Sequence, residues 1–199
     1  MSRGHEVAVP DAASVDLEAC LVQVEASKSW FRRRVLPLSI EQLRWRPQAH
    51  RWSVAECLDH LNLTVDLYLP KIDDAIVRSG TKKGMASQCA RCDVAEIEAL
   101  QRFEPPVAIE VPAPAATMPS AAVEPDGLVD HFHQTRERYA NAVIRAAGLD
   151  LVCIRVVEPV YPLIVSLGGT LALIAAHDRR HMWQAERVIQ SARFPRVLF

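Results

Sequence analysis

The chain of 199 residues has little net charge, few aromatic side chains and only seven glycines. Its 23 lysines and arginines nearly balance its 24 aspartates and glutamates, so no overall basic field attracts nucleic acid or an anionic membrane. The N-terminal stretch MSRGHEVAVPDAAS contains no apolar run, which argues against a signal peptide or a membrane anchor. We therefore expect a cytoplasmic protein with neither a nucleic-acid nor a membrane partner.

One uncharged stretch, residues 159–176, approaches the length of a membrane span. It contains two prolines and a pair of adjacent glycines, which interrupt a membrane helix. Residues 151–165 alternate weakly between apolar and polar positions. We expect an extended segment here that runs into a buried helix.

The five cysteines are an odd number in a chain without a secretion signal, which favours reduced thiols over disulfides. Cys20 and Cys57 fall on apolar helical stripes and are predicted to lie in the core. Cys89 and Cys92 form a single CxxC in a polar loop, with no second CxxC to complete a zinc ribbon. We interpret this pair as two loop thiols.

Four long helical patterns make up most of the chain, and half of the residues are apolar, enough to bury one core. The patterns run from Ser14, a candidate N-cap, to Val35; from Ser53 past Ile76; from Asp126 to Ala147; and from Gly169 to Ser191. The proline-rich segment between the second and third is predicted to be a long loop. We expect an all-α fold with a flexible tail at residues 1–13 and a single domain at residues 14–199.

The start of the second helix carries the strongest local signal. Ser53 and Glu56 have the spacing of a capping box, in which each side chain accepts a hydrogen bond from the other residue's backbone amide. Trp52, at the preceding position, is placed to pack on Cys57. This helix carries His60, so the box fixes the start of a helix that bears a candidate ligand.

Three histidines give the chain its main functional signal. His177 and His181 are four residues apart on the apolar stripe of the fourth helix, so one face presents both imidazoles. His60, at the edge of the second helix's stripe, would by itself more often be a core residue with a satisfied hydrogen bond. Together the three indicate a metal site between facing helices. None of the other four histidines is assigned to the metal, and His131, next to the apolar stripe of the third helix, comes nearest to a ligand position.

The pattern W-S-x-x-E-x-x-x-H-L from Trp52 to Leu61, followed by H-x-x-x-H-x-x-Q from His177 to Gln184, resembles the DinB/YfiT-like superfamily, in its DinB_2-type branch. The resemblance extends from the first helix to the fourth. It implies an up-down-down-up four-helix bundle, frequent homodimers and a divalent metal held by His60, His177 and His181. Glu56 and Gln184 are residues of the same motifs. The proline-rich insert departs from the minimal family pattern.

Relatives in this family are thiol S-transferases that use bacillithiol or mycothiol, a thiol-dependent isomerase, and proteins described as hydrolases. The resemblance therefore implies a divalent-metal-dependent enzyme acting on a small molecule, either a hydrolase or a thiol S-transferase. The alternative is a non-catalytic metal- or ligand-binding protein on the same bundle. All-nitrogen ligation favours zinc or nickel, with iron and manganese as alternatives.

Three neutral imidazoles leave coordination positions open, as in catalytic rather than structural metal sites. Such a site needs a proton acceptor for water or for a thiol cofactor. The candidates are Asp59 and Asp178, each adjacent to a ligand, although neighbouring residues on a helix point about 100° apart. We expect both to be solvent-facing helix charges. With Glu56 and Gln184, they are the residues considered as supports for the ligands.

Overall fold

The computed structural model describes residues 16–80, 100–107, 112–120, 123–124, 127–161 and 163–196. These residues are mainly helical, which confirms the predicted all-α class in outline. The helices include α1 (Leu17–Arg34), α2 (Ile40–Arg44), α3 (Val54–Ser79), α4 (Leu128–Ala146) and α5 (Leu167–Ile189). A 3₁₀ turn spans Ala115–Thr117, and strands β1 (Arg155–Val157) and β2 (Ile164–Ser166) form one small antiparallel sheet. The predicted tail and the Cys89–Cys92 pair lie outside the described residues.

Helix starts differ from prediction by a few residues because nearby side chains supply the caps. Asp16, rather than Ser14, caps α1: its carboxylate accepts a hydrogen bond from the amide of Ala19 at 3.1 Å. Ser14 lies outside the described residues. Ser166 caps α5 by accepting from the Gly169 amide at 2.9 Å, so this helix begins two residues before the predicted start. An anionic or hydroxyl cap satisfies amides that the first helical turn leaves unpaired.

The predicted capping box at the start of α3 is confirmed. The Ser53 hydroxyl accepts from the Glu56 amide at 3.2 Å, and a Glu56 carboxylate oxygen accepts from the Ser53 amide at 2.9 Å. The Arg46 guanidinium forms an ion pair with the same carboxylate. Glu56 therefore ties the segment before α3 to the helix and sets where the helix begins.

The four long helices pack in pairs: α1 contacts α4 and α5, and α3 contacts the same two. Two apolar clusters form between them. One contains Cys20, Val24, Leu69 and Tyr139, and the other contains Phe31, Cys57, Leu58 and Phe132. Both predicted core cysteines are thus confirmed, and burial raises the pKa of each thiol, so both stay protonated at neutral pH.

A layer of polar side chains separates the two apolar clusters. On each long helix, the polar residues of this layer lie between the residues of one cluster and those of the other. At its centre, Arg136 and Asp178 form an ion pair with side chains 0% and 1% exposed. The Ser27 hydroxyl donates to Asp178 at 3.1 Å, and Arg136 donates to the Leu61 carbonyl at 3.2 Å. Thr135 donates to Asn62 at 3.0 Å. We call the five residues Ser27, Asn62, Thr135, Arg136 and Asp178 the polar layer.

The prediction that Asp178 is a solvent-facing helix charge is therefore wrong. Asp178 lies on α5, and its side chain is contacted by Ser27 from α1 and by Arg136 from α4. A buried carboxylate needs such a cationic and hydrogen-bonding partner, because desolvation otherwise disfavours its charged form. The sequence near Asp178 gives no sign of Arg136, which lies on another helix.

The uncharged stretch at residues 159–176 runs from an extended segment into the start of α5, as predicted. Val156 pairs with Val165 across the two strands, and β2 leads directly into α5. Leu167 and Leu171 at the start of α5 are fully buried. Within the described residues, every helix is too short or too polar to cross a membrane.

Candidate metal centre

The structure brings His60 from α3 together with His177 and His181 from α5. Their ring centroids are 4.4 to 4.8 Å apart, and one ring nitrogen of each lies within 4.8 Å of the others. The Nε2 atoms of His60 and His177 are 3.0 Å apart. Two nitrogens on one tetrahedral zinc ion, each about 2.0 to 2.1 Å from it, lie about 3.4 Å apart. The triad could therefore hold one ion after a small adjustment.

Hydrogen bonds to the outer ring nitrogens orient two of the three imidazoles. The backbone carbonyl of Thr117 lies 2.6 Å from His60 Nδ1, and the Gln184 side-chain oxygen lies 2.9 Å from His181 Nδ1. Because oxygen acceptors require a proton on Nδ1, Nε2 of each neutral ring presents its lone pair. This arrangement matches the support that metal-binding histidines receive in proteins.

Burial keeps the triad neutral. The three rings are at most 9% exposed, and desolvation lowers the pKa of each. The positive charge of Arg180 lowers all three pKa values further, and Arg136 adds to the effect on His177. A metal ion requires deprotonated ligands, so these lowered pKa values favour ligation at neutral pH.

The lowered pKa values predict a pH-dependent stability for the metal-free protein. Unfolded histidines take up a proton near pH 6.5 while the folded triad stays neutral, so the free energy of unfolding falls as pH decreases below about 6.5. Each histidine that gains a proton only on unfolding adds a slope of about 1.4 kcal/mol per pH unit. Urea unfolding with chelator between pH 7.5 and 5.5 measures this slope.

The control for this experiment is a matched pair of variants. His177→Gln with His181→Gln should flatten the slope, whereas His131→Gln should keep it, because His131 is partly exposed and outside the triad. Identical slopes in wild type and the double variant would contradict the assignment of the lowered pKa values to the triad.

Aromatic rings cover the triad on two sides. The Trp52 ring centroid lies 4.9 Å from that of His60 and 5.8 Å from that of His181, and Phe103 lies 5.9 Å from His177. Trp52 also packs against the apolar cluster that contains Cys57, so its predicted place at the start of α3 serves the triad as well. These rings exclude water from part of the site, which strengthens electrostatic interactions within it.

An open cleft of about 1150 Å³ reaches the triad. All three histidines line it, as do Thr64 and Tyr68 from successive turns of α3 after His60. The Tyr68 hydroxyl donates to the Glu158 carboxylate, and burial and this contact raise the pKa of Tyr68, so it remains a protonated donor. The cleft has ample room for a small molecule beside the histidines.

The four residues considered as supports for the ligands have different surroundings. Gln184 contacts His181, as described. The hydrogen bonds of Glu56 go instead to Ser53 and Arg46, and Asp59 accepts from the backbone amide of Ser120 at 3.0 Å. Asp178 belongs to the polar layer. Among the described contacts, Gln184 alone of the four has a direct hydrogen bond to the triad.

Two residues contribute to this site without having been predicted, Arg180 and Thr117. Arg180 is buried, lines the cleft and donates to the Arg102 carbonyl at 3.2 Å. Its spacing of three residues from His177 was an available signal, since i and i+3 share a helix face. Thr117 left no signal, because a backbone carbonyl is the acceptor.

The other histidines that the structure describes are not members of the triad. His131 forms a hydrogen bond with Asp66 at 2.6 Å, and the ring of His133 packs against Phe31 at 5.3 Å. His50 lines the cleft, and His5 lies outside the described residues. His131 is therefore a suitable control for the triad.

Comparison with known proteins agrees with this geometry. No curated protein and no solved structure gave a significant match. A family model described as the DinB superfamily matches residues 23–185, which include His60, His177, His181 and most of all four long helices. The match covers far more than half of the sequence, so the chain belongs to the DinB superfamily.

Proposed function

We propose that this protein is a divalent-metal-dependent enzyme with His60, His177 and His181 as its metal ligands. The observation that carries the proposal is that three buried imidazoles, held neutral, converge at one open cleft. Three protein ligands leave coordination positions open for water or substrate, whereas a structural site closes them with a fourth. The open cleft would give a reactant access to the ion, whereas an occluded site would favour a protein that holds the metal without turnover.

The ligand set also bears on the identity of the ion. All three donors are imidazole nitrogens, which suit zinc and nickel, and iron and manganese are alternatives. A bound divalent ion would supply Lewis acidity, which turns water or a thiol into a nucleophile near neutral pH. In this proposal, Thr117 and Gln184 hold the rings in the ligating orientation while Trp52 and Phe103 exclude bulk water.

Thiol transfer is the better supported of the two reaction classes. Hydrolysis needs a proton acceptor beside the attacking water. The described lining residues of the cleft include no carboxylate. The nearby acids have other partners: Asp59 binds the Ser120 amide, Asp178 is paired with Arg136 inside the protein, and Glu158 accepts from the Tyr68 hydroxyl and from two backbone amides. A thiol is more acidic than water by several pKa units and depends less on such a base. We therefore place S-transfer ahead of hydrolysis.

The finer family features belong to the same proposal. They are an up-down-down-up arrangement of the four long helices, one domain over residues 14–199, a homodimer, a cytoplasmic location and a low-molecular-weight thiol as co-substrate. The pairing of α1 and α3 with the same two helices supports the bundle arrangement.

The first test is metal content. We expect about one equivalent of divalent metal per chain, measured by elemental analysis of protein purified without a histidine tag and after reconstitution with zinc, nickel, iron(II) or manganese. The loaded protein should then consume a thiol and an electrophilic substrate together and leave simple esters unchanged. Far less than one equivalent with every metal would overturn the proposal, and ester hydrolysis without thiol consumption would reverse the order of the two reaction classes.

A further inference from the structure

A buried carboxylate lies behind one wall of the cleft. Glu158 follows β1 directly and is 8% exposed. One of its side-chain oxygens accepts from the Tyr68 hydroxyl, and the other accepts from the backbone amides of Val160, at 2.7 Å, and Tyr161. These three partners line the cleft, whereas Glu158 is not among its described lining residues. The wall at this place therefore has a negative charge directly behind it.

The contacts of Glu158 differ from those of the other buried acids. Asp178 is paired with Arg136, and Glu56 with Arg46. In the part of the chain that the structure describes, the side-chain partners of Glu158 are the hydroxyl and the two amides, none of which carries a positive charge. Desolvation disfavours a buried carboxylate, and a nearby cation offsets this cost. A positively charged group bound in the cleft beside this wall would thus supply a counter-charge.

Tyr68 is the residue through which this charge acts on the cleft. Its hydroxyl proton is donated to Glu158, so its oxygen presents a lone pair to any group beside it. Burial and the Glu158 contact raise the pKa of Tyr68, which keeps the proton in place. Donation to a carboxylate also polarises the phenol and strengthens its oxygen as an acceptor. A ligand at Tyr68 therefore meets an acceptor with a negative charge behind it, which suits a positively charged N–H donor.

Tyr68 and the cleft arginines lie at different places along the cleft. The start of α3 packs with the end of α5 in one apolar cluster, and the end of α3 packs with the start of α5 in the other, so the two helices are antiparallel. Tyr68 lies eight residues beyond His60 on α3, about 12 Å along the helix axis. Arg51, before α3, and Arg187, near the end of α5, are therefore on the other side of the triad from Tyr68. Arg180 lies beside the triad, and both it and Arg51 have interactions of their own.

We propose that the cleft binds a protonated amine of the substrate at Tyr68, with Glu158 behind it as the positioning residue and counter-charge. The ammonium group donates a hydrogen bond to the Tyr68 oxygen. Tyr161 lines the same part of the cleft, and aromatic rings attract cations through their faces. The substrate is thus a small amine whose nitrogen lies about 12 Å from its reacting group, the distance along α3 from Tyr68 to His60. This inference rests on the proposed function for the reaction, but the amine contact depends on Tyr68 and Glu158 themselves.

The test compares three probes of similar shape: 4-phenylbutylamine, which is protonated at neutral pH, 4-phenylbutan-1-ol and 4-phenylbutyl methyl ether. Chelator-treated full-length protein is used, so that the amine has no metal ion to bind directly. We expect titration calorimetry to give at least about tenfold tighter binding of the amine than of the alcohol, a difference of about 1.4 kcal/mol. The alcohol should bind more tightly than the ether, which has no proton to donate. An amine that binds no more tightly than the alcohol, or no binding of any probe at millimolar concentration, would overturn the inference.

Glu158→Gln tests the counter-charge. The substitution removes the charge, and the new amide oxygen has to accept from the two backbone amides, so the amide nitrogen faces Tyr68. The Tyr68 oxygen then accepts from that nitrogen and can turn its own proton into the cleft. We expect the amine to lose its advantage over the alcohol, and the ether to bind more tightly than it binds to wild type. A loss of structure alone would not give this reversal.

Glu124→Gln is the matched control. That carboxylate is exposed and pairs with Arg44, so this variant should bind all three probes like wild type. Tyr68→Phe removes the acceptor but keeps the Glu158 charge, so the alcohol and the ether should bind equally and the amine should lose most of its advantage. If Glu158→Gln does not fold, as thermal unfolding would show, Tyr68→Phe decides alone. An amine preference that survives the substitutions unchanged would overturn the assignment.

Metal content separates this inference from the proposed function. If the protein binds no metal but keeps a preference for the amine that depends on Tyr68 and Glu158, the amine site stands and the metalloenzyme proposal fails. If metal binds with the expected stoichiometry but neither substitution changes the preference, the metalloenzyme proposal stands and the inference fails.

Discussion

Replacing His181 by alanine is expected to abolish metal binding. The variant keeps only two ligands, and His60 and His177 alone give a much weaker site. Metal that binds only the folded state stabilises it by about 2.7 kcal/mol when the free ion is at one hundred times its Kd. Chelator should therefore lower the melting temperature of wild type and leave that of His181→Ala nearly unchanged. Metal titration and thermal unfolding measure the two effects.

Two further variants make this a graded series. Gln184→Ala removes the acceptor that orients His181 but keeps the ligand, so its affinity should fall by about 10- to 100-fold. His131→Ala should bind metal like wild type, because His131 contacts Asp66 outside the triad. Equal metal loss in His131→Ala and His181→Ala would reject the ligand assignment.

Replacing Asp178 by asparagine is expected to destabilise the fold by about 3 to 5 kcal/mol. The substitution keeps the shape of the side chain but leaves the Arg136 charge buried without its partner. Burial raises the pKa of Asp178 even though Arg136 and Ser27 oppose the shift. Desolvation of the charged carboxylate therefore offsets part of the stabilisation that the ion pair gives. Urea unfolding at neutral pH measures the change in the free energy of unfolding.

Two controls separate burial from charge. Asp66→Asn removes a carboxylate from a partly exposed pair and should cost less than about 1 kcal/mol. The double variant Arg136→Met, Asp178→Leu should recover much of the loss, because it removes both buried charges together. A single Asp178→Asn variant as stable as wild type would contradict the buried pair.

The features that sequence could predict are those that depend on residues close together in the chain. The capping box at Ser53 and Glu56 spans four residues, and the spacing of His177 and His181 needs one helical turn. Both are periodic or local, so the backbone geometry of a helix is enough to place them. His60 was added as the third member from its place at the edge of the second helix's apolar stripe, and the resemblance in the two motifs agreed with it.

The features that sequence could not place depend on contacts between distant segments. Arg136 and Asp178 are 42 residues apart, and neither shows locally that the other will neutralise it. The bond from Glu56 to the Ser53 amide was predicted, but the pairing of the same carboxylate with Arg46, ten residues earlier, was not. Whether a motif residue serves the site or the helix start depends on which groups the tertiary fold brings to it.

The hydrogen bond from His60 to the carbonyl of Thr117 constrains how this protein can change. The acceptor belongs to the backbone, so a side-chain substitution at position 117 leaves it in place. Insertions or deletions that move the 112–120 segment would take the acceptor away without altering any histidine. The candidate centre thus depends on the backbone path of the 112–120 segment more than on its side chains. Grafting another loop at this place would perturb the centre, whereas alanine scanning of the segment would not.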